Sequence, residues 1–262
     1  MKRHVRKLLE LEQLFGVDFL PASKSRPKSP ERPATRSLSD PHGLRGHGEG
    51  WPNGLPPEAS PTRTAKGGRT AERLSGPPEW LAFRDQVLAC TKCDELCATR
   101  KQVVFGVGSI TAPLMFVGEA PGADEDQQGE PFVGKAGQLL TATLRKCGVS
   151  RAQVYIGNVL KCRPPGNRTP APQEMMNCMP YLLRQIQTIK PKLLCVLGNI
   201  AARALLQTTL GITKLRGRTH DFMGTRVFAA YHPAYVLRNM NELGTFEADV
   251  RRACLDAGLI QS

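Results

Sequence analysis

Four short apolar runs punctuate the chain beyond residue 110, at residues 114–117 (LMFV), 154–156 (VYI), 193–197 (LLCVL) and 227–230 (VFAA). Each is too short for a helix and is followed by glycine or polar residues, the pattern of strands buried on both faces. Between them, residues 136–147, 174–189 and 200–206 space their apolar positions helically, with Pro180 an expected kink in the second. Upstream, Trp80, Phe83, Val87 and Leu88 fall on one face of a further helix that delivers the chain to Cys90. Strand and helix alternate, which predicts an α/β fold built on a four-stranded parallel sheet flanked by helices.

The pattern stops before residue 79. Residues 1–78 hold 11 of the 21 prolines and 9 of the 25 glycines. Val5, Leu8, Leu9, Leu11 and Phe15 are spaced for a short amphipathic helix within residues 1–20. Residues 21–78, rich in Pro, Ser, Gly and Arg without apolar periodicity, are expected to be disordered. The sequence therefore divides into a tail, 1–78, and one domain, 79–262. No run of 18 apolar residues is present, which excludes a membrane-spanning helix. Glu10, Glu12 and Gln13 interrupt the N-terminal apolar stretch, so a secretory signal is not expected. These features predict a cytoplasmic, nucleoid-associated protein.

Charge sharpens the picture. The formal net charge is +13, with +6 in residues 1–78 and +7 in the remainder. An excess shared by both parts points to a polyanionic partner, with nucleic acid the first candidate.

Ligands of open α/β sheets bind beyond the carboxyl ends of the strands. Glu119, Asn158, Asn199 and His232 follow the four runs in turn. A carboxylate, a carboxamide and an imidazole are thus available to one crevice, while Asn199 also suits the N-cap of the helix after it. The GEAPG turn is neither a Walker A loop nor a G-x-G-x-x-G fingerprint. Phe132, held between Pro131 and Gly134, could serve as a stacking platform for a planar ligand.

Cys90 and Cys93 form a C-x-x-C pair, and Cys162 and Cys178 lie far downstream. Four such cysteines can close on zinc or on an iron–sulfur cluster, and spacing leaves both open. Cys97 is a spare that could substitute by spacing, whereas Cys147, Cys195 and Cys254 sit in apolar segments and read as core.

GEAPGADEDQQGEPFVGKAGQLL, VYIGNVLKCRPPGNRTP, ITKLRG and YHPAYVLRN occur in that order. Together they resemble family 4 uracil-DNA glycosylases, the iron–sulfur type, over about residues 79–240. The resemblance implies a [4Fe-4S] cluster on Cys90, Cys93, Cys162 and Cys178. It implies catalytic roles for His232 and Glu119, and substrate contacts from Asn158, Phe132 and Gly118. Glu125, beside Asp124 and Asp126, is the residue expected to keep thymine out. The activity implied is monofunctional hydrolysis of the N-glycosidic bond of uracil in DNA, leaving an abasic site for base excision repair. The alternative is a non-catalytic or covalent uracil-DNA binding module. His220 in LRGRTHDFMGTRV lacks the basic run of the covalent relatives, which weighs against the covalent type.

Tyr235, Val236 and Leu237, directly after His232, are expected to wedge into the gap left by an extruded base. Lys161, Arg168, Arg216 and Arg238 are among the basic residues expected at phosphates. The partner is then uracil-containing DNA, single- or double-stranded, met by a monomer whose tail binds DNA or a repair or replication protein.

Overall fold

The computed structural model describes residues 76–261, so the expected helix at 1–20 and nearly all of the tail lie outside the described residues. The chain enters on helix α1 (Pro78–Leu88), which buries Trp80, Phe83 and Val87. The Trp80 ring meets Phe105 edge-on, with centroids 5.1 Å apart, and Tyr155 at 6.0 Å. Helix α2 (Asp94–Thr99) follows the C-x-x-C pair and buries Leu96.

The sheet has six strands rather than the four expected: β1 (Val107–Gly108), β2 (Leu114–Gly118), β3 (Tyr155–Asn158), β4 (Leu193–Leu197), β5 (Thr219–Phe222) and β6 (Thr225–Ala230). Their spatial order is β1-β3-β2-β4-β6-β5. The four apolar runs form the centre and pair in parallel. The two additional strands cap the edges in antiparallel fashion. Neither edge strand has an apolar run to announce it. One is two residues long, and the other, THDF, is largely solvent-facing, as edge strands of mixed sheets are.

Helices α3 (Ala123–Gln128) and α4 (Lys135–Lys146) connect β2 to β3, and α5 (Pro172–Ile189) crosses from β3 to β4. The α5 helix runs on through Pro180. Next come α6 (Asn199–Leu206), α7 (Ile212–Leu215), α8 (Pro233–Arg238) and α9 (Leu243–Asp256). Asn199 does not cap α6. Gly198 takes that place, and the Asn199 Oδ1 accepts from the Ile212 N–H at 2.7 Å, tying α6 to the start of α7.

Register brings the strand exits level. Gly118 lies opposite Asn158, and Leu197 opposite Ala230. Backbone bonds continue past the strands, from the Val159 N–H to the Gly118 carbonyl (2.9 Å) and from the Leu160 N–H to the Glu119 carbonyl (3.0 Å). The chain reverses its direction of winding at β2, the position where such sheets open a crevice.

Candidate functional site

Gly118, Asn158, Phe132 and His232 meet at the carboxyl edge of the sheet. A Cβ at Gly118 would lie 2.4 Å from the Asn158 Oδ1 and 2.5 Å from the Phe132 Cζ, so only glycine admits this approach. The Phe132 and His232 rings stand 5.6 Å apart between centroids, tilted by 35°. Gly198, at φ +87°, supports the histidine from β4, because a side chain there would approach the His232 Cβ to 2.9 Å.

Asn158 is buried, and its Oδ1 has no hydrogen-bond partner. A buried carboxamide oxygen left unpaired costs about 1–3 kcal/mol, so such an atom is usually waiting for a donor. The imidazole of His232 is fixed in one tautomer. Its Nδ1 accepts from the Ala234 N–H at 3.1 Å, so the proton of the neutral ring sits on Nε2. Burial, aided by the charge of Arg238, lowers its pKa to about 4. Glu119 leaves β2 half-buried, and desolvation raises its pKa.

Phe132 owes its position to two clamps. Its backbone is left-handed at φ +54°, a strained state for a non-glycine residue. Arg151 donates to the Phe132 carbonyl (3.0 Å), the Pro131 carbonyl (2.8 Å) and the Thr141 hydroxyl (3.1 Å). From the other side, one Glu125 oxygen accepts from the Val133 and Gly134 N–H groups, both at 2.9 Å, and the other accepts from the Gly122 N–H at 3.1 Å. Glu125 is thus a fully bonded, immobile carboxylate beside the aromatic loop. Arg151→Met strands two carbonyls and is expected to lower unfolding stability by about 1–3 kcal/mol. It should also speed hydrogen exchange at the Val133 and Gly134 amides. Denaturant titration and amide exchange check this, and wild-type exchange at both amides would refute the clamp.

Four of the expected DNA contacts need correction. Val236 is fully buried in the core and so is not available as a wedge, whereas Tyr235 is exposed and Leu237 half-exposed. Lys161 is buried. Arg216 is committed to a two-pronged ion pair with Asp249 at 2.9 and 3.0 Å, and it lies over the Tyr231 ring. Arg168 is similarly held by Glu174 and Glu95. Arg238 remains exposed. His220 is engaged with the Leu215 carbonyl at 2.8 Å through a ring nitrogen.

Cys90, Cys93, Cys162 and Cys178 lie near one another, linked through Arg100, Asn177 and Lys161. Arg100 joins two of them, donating to the Cys162 Sγ at 3.1 Å and to the Cys90 carbonyl at 2.6 Å. Asn177 donates to the Cys93 Sγ at 3.3 Å, and the backbone N–H of Lys161 donates to the Cys178 sulfur. Burial raises the thiol of Cys162 to about 11 and that of Cys178 to about 12. Cys97 lies beside the same group, with its Sγ toward the Cys90 carbonyl at 3.7 Å. Among the described residues, no group of three or more His, Cys, Asp or Glu side chains is arranged to hold a metal ion as packed here.

Sequence reasoning missed Arg151 and gave Lys161 a surface role. Both look like ordinary charges in polar stretches, and only their partners, a strained loop and a strand exit, reveal their place.

The family model of the uracil DNA glycosylase superfamily matches residues 105–256. The chain is similar to a type-4 uracil-DNA glycosylase of Archaeoglobus fulgidus, 43% identical over 176 residues that cover 64% of this chain and 87% of that protein. It is also similar to type-4 enzymes of Thermotoga maritima and Pyrobaculum aerophilum. Each is 46% identical, over 61% and 62% of this chain and 84% and 86% of theirs.

Proposed function

The chain belongs to the uracil-DNA glycosylase superfamily, and we infer from its type-4 likeness and its site that it hydrolyses the N-glycosidic bond of uracil in DNA, leaving an abasic site. The observation that carries the reading is the orphaned Asn158 Oδ1, buried beside the Phe132 ring.

A stacked base hides its glycosidic bond, so the nucleotide must turn out into the pocket. There the Asn158 Oδ1 accepts from uracil N3–H while its amide donates to O4. Cytosine presents the reverse polarity and is refused by the same fixed amide. Phe132 stacks on the base and replaces part of the lost stacking. Cleavage leaves negative charge on uracil and positive charge on the sugar. The Nε2–H of His232 donates to uracil O2, where the charge grows, and so favours the transition state over the ground state. A neutral imidazole suffices for this. Glu119, a desolvated carboxylate on the sugar side, favours the cationic sugar or orients the attacking water. Glu125, locked by three backbone N–H groups, cannot move aside and serves as the obstacle to the methyl group of thymine. Tyr235 and Leu237 fill the vacated stack.

The cysteine region suits a [4Fe-4S] cluster by the chemistry of its donors. Arg100, Asn177 and the Lys161 amide each aim an N–H at a different sulfur, as anionic thiolates require. Cys90, Cys93, Cys162 and Cys178 would hold it. Bound there, it would supply a structural tie between the C-x-x-C turn and the loop after β3, since hydrolysis moves no electrons.

The test is incubation of the purified protein, without added metal, with an end-labelled strand carrying one uracil, followed by alkali. Free uracil and a single alkali-dependent break are expected. A tight gel shift without product would instead identify a binding module. Broad visible absorbance that disappears in Cys178→Ser checks the cluster, because zinc is colourless.

A further inference from the structure

Lys161 is buried, with 1% of its surface exposed, yet among the described residues no carboxylate pairs with it. Its ammonium donates to the Asn158 carbonyl at 2.8 Å and to the Gln185 Oε1 at 2.7 Å. Gln185, itself fully buried on α5, turns its amide to the Phe105 carbonyl (2.8 Å) and the Tyr155 hydroxyl (3.0 Å). The backbone of the same lysine reaches the other way. Its N–H is bonded to the Cys178 sulfur, and its carbonyl accepts from the Val104 N–H at 2.7 Å. Stripping an ammonium of water is costly, and a methionine would fill this space without that cost. A cation kept here needs a task that apolar packing cannot perform.

We propose that Lys161 is a positioning residue for base recognition: it grips the backbone of Asn158 from below and anchors that grip to the cysteine site through Cys178. The proposal rests on the glycosylase reading, in which Asn158 reads the uracil edge. A strand exit is otherwise the least restrained part of a strand, since its carbonyl has no neighbour to complete the ladder. The ammonium completes it. An amide that must discriminate donor from acceptor on one base edge is thereby held within tenths of an ångström, through a residue whose own main chain is fastened to the cysteine region.

The experiment compares wild type, Lys161→Met, Asn158→Ala and the double variant on a single-stranded uracil substrate, with visible absorbance per chain measured for each. Lys161→Met should keep the absorbance and leave KM, set largely by phosphate contacts, near wild type. Its kcat should fall roughly 10- to 100-fold, as misplacement of a reacting group does. In the Asn158→Ala background the same change should cost little more, because the side chain it positions is gone. A wild-type kcat in Lys161→Met, additive losses in the double variant, or loss of absorbance together with activity would each overturn the proposal. If Lys161→Met does not fold, Gln185→Met removes the other partner of the ammonium, and an unchanged kcat there overturns it as well. An inactive wild-type protein would instead defeat the glycosylase reading itself, so the two failures are distinguishable.

Discussion

His232→Ala is expected to lower kcat for uracil release by about 100- to 1,000-fold with little change in KM, the loss seen when one preorganised donor to a developing oxyanion is removed. The ring is set for this task before substrate arrives. Its Nδ1 is occupied by the Ala234 N–H, so Nε2 must carry the proton. Gly198 and the closely set Phe132 ring limit where it can move. Its pKa, lowered to about 4 by burial and then by Arg238, keeps it neutral over the working range. The sign follows directly. Protonation occurs only as pH falls through about 4, so kcat should show no inflection near the ordinary imidazole value of about 6.5. In the unfolded chain the ring protonates at that ordinary value, so stability contributed by the buried neutral form is lost progressively between the two values as pH falls. Single-turnover rates from pH 5.5 to 8.5 check the first statement. A titration near 6.5 that vanishes in His232→Ala would show that the imidazolium, not the neutral ring, acts.

Asn158→Ala should lower kcat/KM for uracil about 100-fold or more, since two base-edge hydrogen bonds and the polarity that refuses cytosine are lost together. The same change has an unusual signature in stability. The Oδ1 is buried without a donor in the free protein, so removing it relieves a desolvated acceptor. Denaturant titration should therefore find the variant as stable as wild type, or more so, while activity collapses. A variant that loses stability and keeps its rate would show that Asn158 is packing rather than recognition.

Much of this arrangement was legible in the residues because fully buried parallel strands leave uninterrupted apolar runs, and their exits are where polar groups can gather. The runs ending before Gly118, Asn158 and His232 located all three. Edge strands leave no such mark: THDF needs only one face against the core and reads as loop. Asn199 was misjudged because a helix start offers both a cap and a link, and here Gly198 frees its carboxamide for Ile212. Val236 was misjudged because an apolar residue after the histidine suits a wedge and a core equally, and the helical turn of α8 decides which residue faces inward. Arg151 and Lys161 were opaque for a different reason. Their partners are main-chain carbonyls, and a carbonyl has no letter in the sequence.

The level register of β2, β3 and β6 also bears on how proteins of this architecture change over evolutionary time. The groups proposed to touch the base are borne by the strand rims and by the α3 region and the loop between α3 and α4, while the interior ladder specifies nothing about which base is chosen. Ancestral exchanges at a few rim positions could therefore redirect the enzyme toward another damaged nucleobase without remaking the scaffold beneath.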